Sequence, residues 1–356
     1  MDSVPEKIKM QNEDLQYVVN LVKSNIITYD VQVNPVSLTF FFLMSDNPNF
    51  TESFDTIRKE LVPRGFIPFV RENGESTITV TRNPYRKYTT NRVNLILFAL
   101  TLASTIYVGS LYSRAFVAGE LPQILYGFAF FSAPLMLILG LHELGHYFTA
   151  RKYHVKASFP FFIPFPLEIG TFGAFISLRD PIPNKRAMTE IGAAGPIVGF
   201  LTSLPLLFVA DYLNSVIKPI ANIPAIPITF PLIYQMLGIH ISTTQPLFPM
   251  VFAVWVGIFA TAMNLLPVSQ LDGGHIARGL LGNKSSYIGY AMVAFLLIAG
   301  FEVYSGWIFL AFFVMFMGLH HPPALDDYSK ISAFDILIGV FALLMFILSF
   351  TLVPIV

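Results

Sequence analysis

His142, Glu143 and His146 stand together in the pentapeptide HELGH. Two histidines at i and i+4 share one helix face, because four residues turn an α-helix by about 400°. That spacing lets two imidazoles reach one zinc ion, and the glutamate beside the first histidine can act as base for a water that the metal activates. Given the histidine and glutamate content of the 356 residues, chance alone yields an H-E-x-x-H pattern about 0.004 times. The pentapeptide closes a stretch without a charged side chain from Leu121 to Leu141, long enough for a membrane helix. An unpaired ionisable group there costs about 3 kcal/mol, a cost that burial around a metal offsets. The chemistry implied is metal-assisted hydrolysis inside or beside a bilayer.

A catalytic zinc of this kind needs a third protein ligand and an open position. His154, eight residues after His146 in a basic segment, reads as an interfacial residue. The other candidates are Glu168, Glu190, Asp272, His275, Glu302, His320, His321 and the pair Asp326 and Asp327. Asp272 stands out in NLLPVSQLDGGH, where Pro267 should end a helix and Gly273 and Gly274 allow a tight loop behind the carboxylate. Asp-Gly is also an ordinary turn dipeptide. Asn264, just before the break, is suited to hold substrate or an oxyanion, or simply to bond a neighbouring helix. Between the histidines and Asp272 lies the proline-punctuated segment SFPFFIPFPLEIGTFGAFISLRDPIP, in which GTFGAFISL alternates like a strand. A bare strand edge is not tolerated against lipid. This segment must be buried, line a cavity or pair with another extended chain, a known mode of peptide recognition.

These residues need a membrane scaffold. The chain is 54% hydrophobic and 12% charged, against about 25% charged in soluble domains. The fold class expected is a polytopic α-helical membrane protein with a small N-terminal α+β domain. Residues 1–88 form that domain, with helices at DLQYVVNLVKS and TESFDTIRKELV, two strands joined at Asn34-Pro35, and a hairpin turning at Asn73-Gly74. Residues 89–356 form the membrane part, with a core at about 93–275 and C-terminal spans in 286–356. Apolar runs near 93–113, 121–150, 189–210, 247–267, 287–301, 306–318 and 334–355 suggest about seven spans, within a range of six to eight. The stretch from Ile223 to Ile241 is apolar but broken by prolines, so a re-entrant course fits it. Pro134 should bend the helix that carries HELGH.

Arginine and lysine gather before the first run (Arg82, Arg86, Lys87, Arg92), after the second (Arg151, Lys152, Lys156) and after the fourth (Arg278, Lys284). By the positive-inside rule, the N-terminal domain and the HELGH end face the cytoplasm of a cell membrane. The polar first residues carry no secretory signal pattern. A net charge of zero argues against nucleic acid as a partner, and the absence of cysteine excludes disulfides, thiol nucleophiles and thiolate ligands.

HELGH at the end of an apolar helix, GTFGAFISL after it and N-x-x-P-x-x-x-L-D-G near the end of a later span together resemble the site-2 protease family of intramembrane zinc metalloproteases. The resemblance covers about 93–275. It implies that His142, His146 and Asp272 bind zinc, that Glu143 is the general base and that Asn264 binds substrate near the scissile bond. It also implies that the GTFGAFISL strand, including Thr171, Phe172 and Gly173, contacts substrate. The substrate class implied is a single-span membrane protein cut within the bilayer, in regulated intramembrane proteolysis. No inserted PDZ domain is recognisable, and substrate identity and oligomeric state are not legible. Two rival functions share the same residues: a zinc-retaining protein that escorts membrane partners without cutting them, and a metal transporter. A transporter would spread polar groups through its span interiors, whereas these cluster at one depth.

Overall fold

The structure is a computed structural model, and it describes residues 10, 12–72, 74–83, 91–221, 223, 227–268, 270–319 and 321–355. Asn73 of the expected turn and His320 lie outside the described residues.

The N-terminal part has the expected elements: α1 (Asn12–Asn25), β1 (Thr28–Asn34), β2 (Ser37–Phe42), α2 (Phe50–Leu61), β3 (Phe66–Glu72) and β4 (Ser76–Arg82). Its antiparallel sheet has the order β1-β2-β4-β3. Strand β2 alternates Leu38, Phe40 and Phe42 inward, because successive side chains in a strand face opposite ways. Val18, Val22 and Ile26 of α1 and Phe54, Ile57 and Leu61 of α2 recur at helical spacing and complete the core. One residue in that core comes from far along the chain. Leu325 is buried among these side chains, its carbonyl accepts the Val70 amide at 2.8 Å, and its own amide donates to Ile182 at 2.9 Å. The 325–326 segment therefore ties the sheet's β3 edge to the body of the molecule.

The body is helical. Its elements are α3 (Asn91–Ser113), α4 (Glu120–Gly127), α5 (Ala133–Lys152), the hairpin β5 (Phe161–Pro164) and β6 (Thr171–Phe175), α6 (Lys185–Val216), α7 (Leu232–Met236), α8 (Pro249–Asn264), α9 (Asp272–Leu281), α10 (Ser285–Glu302), α11 (Gly306–Met317) and α12 (Ala333–Ser349). Among the described residues, four stretches are long and apolar enough to cross a membrane: Asn91–Ser113, Glu120–Lys152, Lys185–Val216 and Asp272–Glu302. Helices α8, α11 and α12 are apolar but shorter, at 16, 12 and 17 residues. A π turn over Phe128–Ser132 joins α4 to α5 within one helical stretch, Glu120–Lys152, and Pro134 follows it directly; a π turn and a proline are both places where a helix bends. The fifth apolar run also starts earlier than its hydropathy suggests, because α9 precedes α10 with only a tight turn at Gly282–Lys284 between them.

The connections sort into two ends. At one end, Arg58 of α2 donates to the Tyr153 carbonyl at 3.2 Å, and residues 182–184 meet 325–326. At the other, Ile220 donates to Ala115, the Trp307 indole to Leu352 and the Phe248 amide to Asn214, while Ile228 bridges Ile355. The HELGH turn of α5 lies toward the end that holds the N-terminal domain.

Candidate metal centre

The α5 and α6 backbones approach closely because glycines line their contact. An added Cβ at Gly145 would sit 2.7 Å from the Ala194 carbonyl, and one at Gly199 would sit 3.0 Å from His142 Nδ1. At Gly195 it would fall 2.0 Å from His146 Nε2. The small residues of α6 thus form the wall against which both imidazoles rest. Neither their number nor their role was anticipated, although the Gly195-x-x-x-Gly199 spacing in an apolar helix is the signal that marks such a contact.

His142, Glu143 and His146 are buried. His146 Nδ1 donates to the Ile191 carbonyl at 2.7 Å, which leaves its Nε2 lone pair directed at the site. The two Nε2 atoms lie 3.2 Å apart, and Asp272 Oδ2 lies 3.1 Å from that of His142 and 3.3 Å from that of His146. A tetrahedral zinc holds its ligands at about 2.0–2.1 Å, which sets neighbouring ligand atoms about 3.3 Å apart. The three atoms have that separation. Two histidines and one carboxylate also form a donor set suited to zinc. Donors and spacing therefore both fit this metal.

Asp272 reaches the cluster differently from expectation. It is the first residue of α9 and not part of a loop held open by glycines. Gly273 serves packing: its Cβ would lie 2.1 Å from the Leu265 carbonyl, so only glycine lets α9 start against the end of α8. Pro267 follows the end of α8 at Asn264, as anticipated. Asn264 Nδ2 lies 3.4 Å from His142 Nε2, and Glu143 Oε1 lies 4.0 Å from the same atom. Glu143 and Asn264 line two adjoining cavities, of about 190 and 240 Å³, beside the His142, His146 and Asp272 side chains.

The hairpin reaches the same place. Thr171, Phe172, Gly173 and Ala174 line the larger of these cavities, and Ala174, Phe175 and Ile176 line the smaller. Among the described residues β6 pairs only with β5, so its other edge faces the site. Thr171 Oγ1 is committed within the hairpin, donating to the Ile163 carbonyl at 2.8 Å and accepting from the Gly173 amide at 3.0 Å. Phe172 is exposed and lies over Phe165. Gly173 has φ +97° with no atom within 4 Å of an added Cβ, so its backbone shape is what demands glycine. Helix α3 anchors the hairpin: Asn94 donates to the Phe159 carbonyl, Ser104 to that of Gly170 and Tyr112 to that of Glu168.

The other candidates among the described residues do not join the cluster. Glu190 is held by Lys152 at 2.7 Å and Arg186 at 2.9 Å. His275 packs edge-on to His321, with His321 Nε2 2.8 Å from His275 Nδ1. Burial pushes the His321 imidazole below its ordinary value, a hydrogen bond to Pro322 opposes this, and the Arg278 charge adds to it. Asp327 accepts from Arg278 at 2.7 Å, and Asp326 caps Tyr328 and Ser329. His154 sits in a left-handed turn at φ +55° and Glu168 in another at φ +49°, both outside the cluster. Glu302 closes α10 at the opposite end.

Residues 130–299 match the family described as Peptidase family M50. That segment, just under half of the chain, is similar to this family, the site-2 proteases. It is 28% identical over 296 residues to "Probable zinc metalloprotease EGY1, chloroplastic" of Arabidopsis thaliana, covering 74% of this chain and 53% of that protein. It is 31% identical over 188 residues to "Probable zinc metalloprotease EGY2, chloroplastic" of Oryza sativa subsp. indica, covering 50% of this chain and 34% of that protein. The chain thus spans about half, or less, of the length of these relatives. The M50 segment contains HELGH, the hairpin, Asn264 and Asp272.

Proposed function

We propose that this chain is a member of the M50 family and an intramembrane zinc metalloprotease that hydrolyses a peptide bond in or near a transmembrane segment of a single-span membrane protein. The observation that carries the proposal is the convergence of His142 Nε2, His146 Nε2 and Asp272 Oδ2 beside Glu143 and a free strand edge. His142, His146 and Asp272 would hold the ion, which when bound supplies Lewis acidity to a water and to the scissile carbonyl. Glu143 takes the proton from the attacking water and returns it to the leaving amine. Asn264 donates its amide N–H to the carbonyl oxygen as charge builds there. The β6 edge, with Thr171, Phe172 and Gly173, pairs with substrate backbone and holds it extended, since a helical amide is closed to attack.

The same proposal covers the setting. Residues 1–88 form a cytosolic domain, and residues 89–356 form the embedded protease domain. Seven apolar helical stretches cross the bilayer, three of them short, and the basic connections lie on the cytoplasmic side of a cell membrane. Proteomics of the native membrane in a strain carrying Glu143→Gln tests the substrate class. Truncated single-span proteins should accumulate there and vanish when the wild-type chain is restored; an unchanged set of membrane fragments contradicts intramembrane cleavage.

A further inference from the structure

The body and the N-terminal domain meet around a cleft of about 810 Å³ that the catalytic chemistry does not use. Three separate stretches of chain converge on it. Arg58 and Lys59 come from α2, Arg151 from the last turn of α5, His154 and Lys156 from the loop that follows, and Arg179 from the chain just before α6. Asp180 is the one carboxylate in its lining, and its Oδ2 accepts from the Lys156 amide at 2.9 Å. Asp55 pairs with Arg58 and with Lys59, each at 2.6 Å. Arg58, Lys59, Arg151 and Lys156 therefore face the two carboxylates Asp55 and Asp180, an excess of two with neither Arg179 nor His154 counted. Like charges gathered in a partly enclosed, low-dielectric cleft concentrate a positive potential and draw an anion. Arginine presents a planar fork that matches phosphate oxygens in pairs.

Positive flanks of a membrane span explain Arg151 and Lys156 but not the rest. Arg58 and Lys59 belong to the soluble domain, and Arg179 follows the hairpin, yet they open on the same space. The apolar stretch Glu120–Lys152 ends at this level, so the cleft lies where headgroups begin. Tyr147, with the Arg151 guanidinium 5.8 Å from its ring centre, and Val155 give it an apolar side. We infer that this cleft binds a phosphate-bearing ligand, an anionic phospholipid headgroup or a soluble polyphosphate. Bound there, the ligand touches α2 of the N-terminal domain and the α5 turn five residues beyond His146. It joins the two where the Arg58 to Tyr153 hydrogen bond already does.

The test uses the full chain in nanodiscs and needs no substrate. One arm compares phosphatidylcholine discs with discs containing phosphatidylglycerol, and counts by native mass spectrometry the lipids retained on release. The other arm titrates inorganic pyrophosphate into phosphatidylcholine discs by calorimetry. Retention of phosphatidylglycerol assigns the headgroup, and pyrophosphate binding assigns a soluble ligand. In either case Arg151→Gln/Lys156→Gln should weaken binding about tenfold. The single variant Lys156→Gln, on an exposed loop, gives a smaller loss in the same direction should the double variant fold poorly. Binding of neither probe, or binding unaltered by both variants, overturns the inference.

Discussion

At the residue scale, the proposed metal centre rests on a contact that leaves His146 one role. His146 spends Nδ1 on the Ile191 carbonyl, so Nε2 is its only remaining ligand atom. The HELGH spacing announces both histidines locally, since i and i+4 need no knowledge of the fold. Asp272 is harder to read, because it lies 126 positions after His146 and competes with five other carboxylates and three histidines of similar standing. A second residue-scale device lies in the N-terminal domain. Burial raises the Asp55 carboxyl, but hydrogen bonds from Lys59 and Arg58 overcome it and hold the group below its ordinary value. A depressed folded value means that the ion pairs add stability above the unfolded carboxylate's range, about pH 4, and lose it as pH falls through the folded value. The hydrogen-exchange protection factors of the α2 amides should therefore fall in acid below about pH 4, and Asp55→Asn should flatten that dependence. An identical acid response in the variant excludes Asp55 as its source.

At the element scale, apolar periodicity makes the helices legible and conceals how they meet. The strands of the N-terminal sheet follow from alternation and from the Pro35 and Gly74 turns, and all four are present. Helix α9, the π turn before Pro134 and the insertion of Leu325 under the sheet escape such reasoning. Each is decided by packing between distant segments, which period and propensity do not encode. The α5–α6 contact gives a sharp prediction. Gly195→Ala places a methyl group on His146 Nε2, whereas Gly140→Ala, in α5, meets only Phe162 Cζ at 3.8 Å. The first should cost about 1–3 kcal/mol in stability and lower zinc affinity in a chelator competition. The second should leave zinc affinity unchanged. Equal zinc affinities in the two variants contradict the assignment of Gly195 as the wall behind His146.

At the scale of the whole molecule, two ends and one apolar layer organise everything else. The basic loop at 151–156 and Leu325 touch the N-terminal domain, and residues 182–184 pair with 325–326 beside them. The connections near 115, 220, 248, 306 and 355 gather at the far end. Because the chain contains no cysteine, single cysteines report topology without background. Lys330→Cys should react with an impermeant maleimide only from the side of the N-terminal domain. Ile220→Cys should react only from the other. Labelling of both from one side contradicts the proposed crossing. The hairpin edge, Glu143 and the metal ligands then lie together toward the domain side, where water enters more readily than at the bilayer centre.

The central claim is that His142, His146 and Asp272 hold zinc while Glu143 moves the proton. It is tested most directly by measuring zinc content and cleavage of a single-span substrate on the same preparations of wild-type, Glu143→Gln and Asp272→Ala chains. Glu143→Gln should keep its zinc and lose at least about 100-fold in cleavage rate, and Asp272→Ala should lose both metal and activity. Undiminished cleavage by Glu143→Gln, or full zinc in Asp272→Ala, contradicts the account.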